Sequence, residues 1–263
     1  MNSRLLVCDP RHFRIDYEIN PYMHTETQPE LAAATAEHEA IVAAHLAAGR
    51  KVEYVAAAPD CPDMVYTANA AVVRGDHVVL ANLPPERQAE TPYHRAWFAE
   101  RDYRIVQAPY AFSGQGDALA CGDLLFAGHG QRTDRRTLDL LADFLDYRVV
   151  PLRTVSARWY DLDLALSVID ADTLAYCPEA FDQPSLAELH SAGLDLIEVS
   201  RAEADNFALN LVSDGTTVTM TTGAPVLAAR LRERGKTVVQ LETTELRKGG
   251  GGIRCTALTL DNA

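Results

Sequence analysis

The segment Ala118-Leu119-Ala120-Cys121-Gly122-Asp123-Leu124-Leu125-Phe126 sets two strand-length apolar runs on either side of a Gly-Asp pair, the pattern of a β-hairpin. Three other segments repeat it. They are Ala70–Val73 with Val78–Leu80 around Gly75-Asp76, Leu164–Ile169 with Thr173–Tyr176 around Asp170-Ala171-Asp172, and Ala208–Val212 with Thr217–Met220 around Asp214-Gly215. The four turns recur at intervals of about 43 to 49 residues, a spacing typical of repeat architectures.

Outward from each hairpin the pattern continues in the same order. A helix is expected over roughly Tyr93–Arg101, Thr133–Asp146, Pro184–Ala192 and Ala224–Arg234, and the last three carry apolar residues three or four apart. A further helix, Glu30–Ala48, is Ala-rich, with a weak stripe of Leu31, Ala34, Val42 and Leu46 on which His38 also falls. Each helix leads to a short strand: Lys51–Val55, Arg104–Val106, Arg148–Val150, Leu196–Val199 and Thr237–Val239. Five such strands accompany only four hairpins. The fifth hairpin is completed if Ile253–Leu260 pairs with Arg4–Cys8, as expected for a closed ring that protects its edges. The fold class is therefore α/β, a single domain over residues 1–263 of five ββαβ-like repeats. An ordinary α/β sheet decorated with hairpins is the alternative.

Composition narrows the function classes. The chain has 263 residues, 48% hydrophobic, enough apolar content to exclude disorder. Its formal net charge of −13 opposes nucleic acid and anionic membranes, and no local basic patch counters that field. No apolar run approaches the roughly 18–20 residues of a membrane span, and Leu5–Cys8 is too short for a signal-peptide core. The five cysteines are scattered, with no C-x-x-C, which points to a reduced cytoplasmic setting without disulfides or a zinc site.

A loop precedes the first strand of each repeat, and in a ring these loops converge. They are Pro62–Asn69, Ser113–Asp117, Trp159–Asp163, Asp205–Asn210 and Gly249–Cys255. Equivalent positions thus supply carboxylates, amides and one thiol to a common centre, suited to a cationic, hydrogen-bond-rich small molecule. Cys255 follows four glycines, which permit close substrate approach, with Arg254 and Lys248 near enough in sequence to lower its pKa. Plainer readings exist for the rest. Arg132 before Thr133-Asp134 fits a surface helix cap, Asp63 after Pro62 a turn, and Asp117 a strand cap; His129 fits a surface position.

Taken together, several motifs resemble the pentein, or guanidine-modifying, superfamily, nearest its short bacterial dimethylargininase-like branch. They are Asn20-Pro21-Tyr22-Met23, Pro62–Asn69, Gly116-Asp117-Ala118-Leu119, Gly128–Asp134, Phe207–Gly215 and the Gly-rich segment ending in Cys255. The resemblance implies a fivefold pseudosymmetric α/β propeller and covalent catalysis. Thiolate Cys255 attacks a guanidinium carbon, an amine or ammonia leaves, and water or an acceptor amine resolves the thiouronium adduct. The activity implied is that of a dimethylargininase, arginine deiminase or arginine dihydrolase, with amidino transfer within the same family. It further implies that Asp63 holds the substrate, that Arg132 clamps an α-carboxylate, with Arg87 a weaker candidate for that task, and that Asp163 binds guanidinium nitrogens. Asp117 joins the substrate-binding set, and Asn69, in Thr-Ala-Asn, resembles the arginine-dihydrolase side of the family. No metal or organic cofactor is implied, and a homodimer is common for the fold.

Two positions depart from the family pattern. Where active members read aromatic-His-Leu-Asp, with the His as general acid and base, this chain reads Tyr160-Asp161-Leu162-Asp163. Where relatives carry a Glu near the Gly-Asp pair, Ser113 and Gln115 stand nearby. Asp161 is therefore the expected acid–base group, provided neighbouring charge or burial raises a carboxyl pKa toward neutrality. The alternatives are the same thiol acting on a different amino-acid-like substrate, or a catalytically silent binding protein.

Overall fold

The computed structural model describes residues 2–262. In chain order the strands and helices are β1 (Arg4–Cys8), α1 (Leu31–Ala47), β2 (Lys51–Val55), β3 (Ala71–Arg74), β4 (His77–Leu80), α2 (Thr91–Ala99) and β5 (Arg104–Gln107). There follow β6 (Ala118–Cys121), β7 (Leu124–His129), α3 (Thr137–Leu145), β8 (Arg148–Arg153), β9 (Leu166–Val168), β10 (Thr173–Tyr176), α4 (Gln183–Ser191) and β11 (Asp195–Glu198). The chain ends with α5 (Arg201–Ala204), β12 (Val212–Ser213), β13 (Thr217–Thr221), α6 (Pro225–Glu233), β14 (Thr237–Leu241) and β15 (Leu258–Thr259).

The strands form five three-stranded sheets of one design. In four of them a hairpin supplies two antiparallel strands, and in every sheet the strand after the helix pairs in parallel with the middle one. In the third repeat, for example, Leu119 sits opposite Phe126, and Leu125 runs beside Val149. The two chain ends share a sheet, with Leu5 opposite Thr259, and Leu6 opposite Leu258. Turn glycines earn their places by conformation: Gly75 and Gly122 both hold φ near +56°, a region costly for residues with a Cβ.

Differences from the sequence pattern arise where polar loops fold into turns. The expected strand Ile253–Leu260 pairs only over Leu258–Thr259, because Gly252–Ala257 folds into turns, with Thr256 N–H donating to the Gly252 carbonyl and Ala257 N–H to Arg254. The fourth hairpin shortens in the same way, its first strand reduced to Val212–Ser213 after a turn in which Phe207 has φ +64°. Helix α3 begins at Thr137 rather than Thr133, leaving Gly130–Arg136 as a loop. On α1 the buried face is Ala34, His38, Ile41, Val42, Ala44 and His45, whereas Leu31 and Leu46 point outward. The 34/38/41/45 spacing continues round a 3.6-residue helix, and Leu46 lies about 100° away from it. His45 belongs inside because its ring nitrogen contacts the buried Arg50 guanidinium, which pairs with Asp214 at 2.9 Å.

Apolar packing lies between each sheet and its helix, and between neighbouring sheets. Phe98 and Trp97 of α2 pack with Val78 and Leu80, and Leu141 and Leu145 of α3 with Leu125 and Val79. Burying such side chains contributes roughly 1.5–3 kcal/mol each. This packing fixes the strand ends from which the polar loops project. Among the described residues no helix is long and apolar enough to cross a membrane.

Candidate active site

Cys255 is 2% exposed, in the turn between the glycine run and β15. Asn210, from the turn before β12, donates from Nδ2 to the sulfur at 3.1 Å, while its Oδ1 accepts from the backbone N–H groups of Arg254 and Cys255. Those two acceptances fix which way the amide faces. On the other side the thiol donates to Asp163 Oδ2 at 3.2 Å. The glycine run is required by contact. A Cβ on Gly251 would stand 2.9 Å from Cys255 Cβ and would enter the Tyr66 ring, and Gly250 has φ +92°.

Asp161 lies in the same buried group. It accepts from Ser113 Oγ at 2.6 Å and from Asn69 Nδ2 at 2.8 Å, and Arg132 Nη1 stands 3.5 Å from its Oδ2. Arg132 stacks on the Tyr160 ring at 4.1 Å and borders a cleft of about 380 Å³ that Ser113 also lines. Gly116 leaves room for this cluster, since a Cβ there would reach Asn69 and stand 2.6 Å from Asp161 Oδ2. Asp117 is saturated from within, accepting from Thr133 Oγ1 at 2.6 Å and from Leu162 N–H at 2.9 Å.

Asp63 is buried, and Asp163 Oδ1 is buried without a partner. Arg87 is buried beneath Asn69, donating to Asn69 Oδ1 at 2.8 Å, to both Glu90 oxygens and to the Asp63 carbonyl. Its guanidinium is thus engaged within the protein, orienting the Asn69 amide so that the NH2 faces Asp161. Residues 13–23 cover the group. The Ile19 carbonyl accepts from Arg132, Asn20 donates to the Gly249 carbonyl, and Tyr22 packs edge-on against Phe207.

Electrostatics follow from burial and like charge. Burial, with Asp161 nearby, pushes Asp117 up to about 7 and raises Asp163 well above the usual carboxylate range. Burial lifts Asp63 to about 6 despite Arg87. Cys255 is also raised well above the ordinary thiol, by burial and then by the Asp163 and Asp161 charges. This corrects the expectation that Arg254 and Lys248 lower it. The Arg254 guanidinium turns away to Gln115 and Thr259, and Lys248 pairs with Glu245 at 2.7 Å. Burial and like charge together favour the protonated forms of these groups, and a neighbouring cation reverses that balance.

The structure therefore brings Cys255, Asp161, Asp163, Asn69, Asp117 and Arg132 into one connected group, with Asp63 and Arg87 adjoining it behind Asn69. Sequence reasoning gave Ser113 and Gln115 equal standing; Ser113 faces Asp161, and Gln115 points to Thr259 and Arg254. It assigned no role to Asn210, whose place directly before the first strand of its repeat, equivalent to Asn69 and Asp163, was the available signal. His129 ends β7, half-buried, apart from these contacts. Among the described residues no cluster of three or more His, Cys, Asp or Glu is arranged to hold a metal.

Comparison with known proteins gives one consistent answer. A family model described as N,N dimethylarginine dimethylhydrolase, eukaryotic, matches residues 9–260. A dimethylarginine dimethylaminohydrolase of Mycobacterium tuberculosis is 37% identical over 258 residues, covering 98% of this chain and 85% of that protein. The bifunctional arginine dihydrolase/ornithine cyclodeaminase AgrE of Nostoc is 36% identical over 97% of this chain, which spans only 37% of that enzyme. The crystal structure of apo ArgZ, a cyanobacterial arginine dihydrolase, superposes with a TM-score of 0.95 at 33% identity, over 99% of this chain and 41% of that one.

Proposed function

Because the chain belongs to the dimethylarginine dimethylaminohydrolase-like branch of the pentein superfamily, we propose that it is a cysteine hydrolase acting on a C–N bond of a guanidino amino acid, arginine or a methylarginine, through a covalent adduct on Cys255. The observation that carries this reading is the thiol held between Asn210 and Asp163, with the buried Asp163 Oδ1 lacking a partner. Buried carboxylate oxygens without donors are costly, and a guanidinium supplies planar N–H donors and a positive charge at once.

The chemistry runs as follows. The guanidinium enters beside Asp163, and its charge offsets the carboxylates that hold the thiol protonated, so the sulfur ionises as substrate binds. Thiolate attack at the guanidinium carbon forms the C–S bond. Breaking a C–N bond releases ammonia or an alkylamine, which takes a proton as it leaves. Water then attacks the thiouronium carbon and the C–S bond breaks, giving the ureido product and the free thiol. Asp161, hydrogen-bonded to Ser113 and Asn69, is the acid–base group of these proton transfers, Arg132 holds the substrate α-carboxylate at the cleft, and Arg87 positions Asn69. Asp117, closed off by Thr133 and Leu162, shapes the site from behind.

The same reading makes residues 1–263 one domain of five repeats in a fivefold pseudosymmetric ring closed by β1 and β15. It takes up the homodimer common for the fold and the cytoplasmic setting read from the scattered cysteines. The Ser113–Asp161 pair, where the family pattern has Glu and His, favours a second reading in which Cys255 attacks a different amino-acid-like electrophile.

Mass-spectrometric product analysis with arginine, methylated arginines, agmatine and guanidinoacetate, beside Cys255→Ala, separates the two. Citrulline, the ureido product of these steps, lost in the variant, is expected, with agmatine poor because it offers Arg132 no carboxylate. Neither product nor a mass increase on Cys255 with any guanidine would overturn the first reading.

A further inference from the structure

Asn210 lies in the turn before β12 and is 1% exposed. Its own N–H donates to the Phe207 carbonyl at 3.1 Å, and its Oδ1 accepts from the backbone N–H groups of Arg254 at 3.0 Å and Cys255 at 3.3 Å. With both donors on Oδ1 the amide cannot turn over, so Nδ2 faces the sulfur at 3.1 Å, and among the described residues it donates to nothing else. The Gly252 backbone N–H also favours the ionised sulfur. A neutral thiol is a weak acceptor, whereas a thiolate is a charged one that draws far more from the same N–H. The other titratable groups around the sulfur are Asp163 and Asp161, which oppose its ionisation, the Arg254 guanidinium, which favours it, and the Tyr66 and Tyr160 hydroxyls. Among the described residues Asn210 is the side chain that donates a hydrogen bond to this sulfur.

We propose that Asn210 is a further catalytic residue, its Nδ2–H joining the Gly252 N–H in a donor pair that holds the negative charge of the Cys255 sulfur as the thiolate attacks and again as it departs. In the first step the sulfur electron pair forms the C–S bond, and the leaving nitrogen carries away the C–N pair and takes a proton. Sulfur in the resulting thiouronium adduct is thioether-like and a poor acceptor. In the second step water adds to the same carbon and the C–S pair returns to sulfur. The water oxygen becomes the ureido oxygen, and its two protons pass to Asp161 and to solvent. Charge therefore reappears on sulfur during adduct breakdown, where the amide is already aimed at it and needs no reorganisation. On attack the effect is smaller, because the donor raises the ionised fraction while blunting the nucleophile. The ionisation part stands on the geometry of the thiol alone, and the departure part rests on the proposed guanidine hydrolysis.

The pH profile of Cys255 alkylation by iodoacetamide, followed by mass on the whole protein with Cys255→Ala as the blank, reads ionisation without any substrate. Asn210→Ala leaves every charge near the sulfur in place, so loss of the donor should move the limb up by about one to two pH units. Below that limb alkylation should slow roughly three- to tenfold, since the smaller thiolate fraction is partly offset by a more basic sulfur. A residue that only pins the turn would act in the opposite direction, because a loosened turn admits water and lets the thiol titrate nearer its ordinary value. A limb that stays in place or moves down therefore overturns the proposal. With a guanidine that the protein turns over, the variant should also accumulate the Cys255 adduct at steady state; turnover without that accumulation overturns the departure role. If no guanidine reacts, the hydrolysis reading fails and the alkylation profile still decides on Asn210. Should Asn210→Ala fail to fold, Asn210→Ser, whose Oγ stands one bond short of Nδ2 and still offers the backbone an acceptor, is read in the same way.

Discussion

In the proposed mechanism Asp161 is the residue on which the chemistry turns. A carboxylate where the family pattern places an imidazole brings negative charge into a group that already holds Asp117 and Asp163, and the shortest contacts it makes are with Ser113 and Asn69. Ser113 could not reach an imidazole's role by itself, but its hydroxyl donates to this carboxylate and holds it in place. Burial is the main cause that raises Asp163 and Asp117, and Asp161→Asn removes the like charge that adds to it. In the proposed mechanism ionised Asp163 holds the guanidinium, so the acid limb of kcat/KM should move to lower pH. Loss of the acid–base group should lower kcat by about 10²–10⁴-fold. A pH–rate profile with unchanged limbs and unchanged kcat would remove Asp161 from the mechanism.

At the scale of elements, the glycine run and the turns around it matter more than any regular strand. Glu37 on α1 accepts from the backbone N–H groups of Glu245 and Leu246, which anchors the entry to Gly249–Gly252, and Tyr160 donates to the Gly250 carbonyl from below. The run is thus pinned at both sides while its Cα atoms lie against Tyr66 and Cys255. Gly251→Ala forces either the Tyr66 ring or the Cys255 turn to move. Overpacking of this kind costs about 1–3 kcal/mol. Since displacement of a nucleophile by an ångström lowers rate far more than stability, a roughly 10²-fold fall in kcat with the fold intact is expected. Thermal melting together with single-turnover adduct formation checks both parts; full activity in the variant would mean the run is not closely packed on the thiol.

For the whole molecule, buried ionisable groups shape stability against pH. Asp117 has its folded pKa raised from 3.8 to about 7, so its contribution is full below the unfolded value and is lost as pH rises through about 7. Asp63, lifted to about 6, acts with the same sign. His38, His45 and His94 act oppositely, since burial lowers them to between about 3 and 4 and folding then loses stability below their ordinary value of 6.5. Between pH 6.5 and 8 the carboxyls dominate. Stability should be greater at pH 6.5 by about 1 kcal/mol from Asp117, a Tm difference of roughly 2–4 °C. Asp117→Asn should shrink that difference; thermal melts showing an identical pH dependence in variant and parent would exclude Asp117 as its source.

Local information was enough for the elements. The position after a hairpin places α2, and the 3.6-residue pattern places α4 and α6, within two residues of where they lie, because that pattern records which face a segment buries against its own neighbours. It was not enough for the loops, where Gly252–Ala257 and the turn before β12 look like strand in sequence and are bent by contacts made elsewhere. The sequence by itself determined the repeated ββαβ elements, the five polar loops between them and the presence of one thiol after four glycines. Only the tertiary structure decided that Ser113 rather than Gln115 meets Asp161, that Asn210 holds the thiol, that Arg87 serves Asn69, and that Cys255 is pushed upward in pKa. The reason is separation along the chain. Asn69 and Cys255 each meet their carboxylate 92 residues away, and the field at each group is set by burial that no single segment supplies.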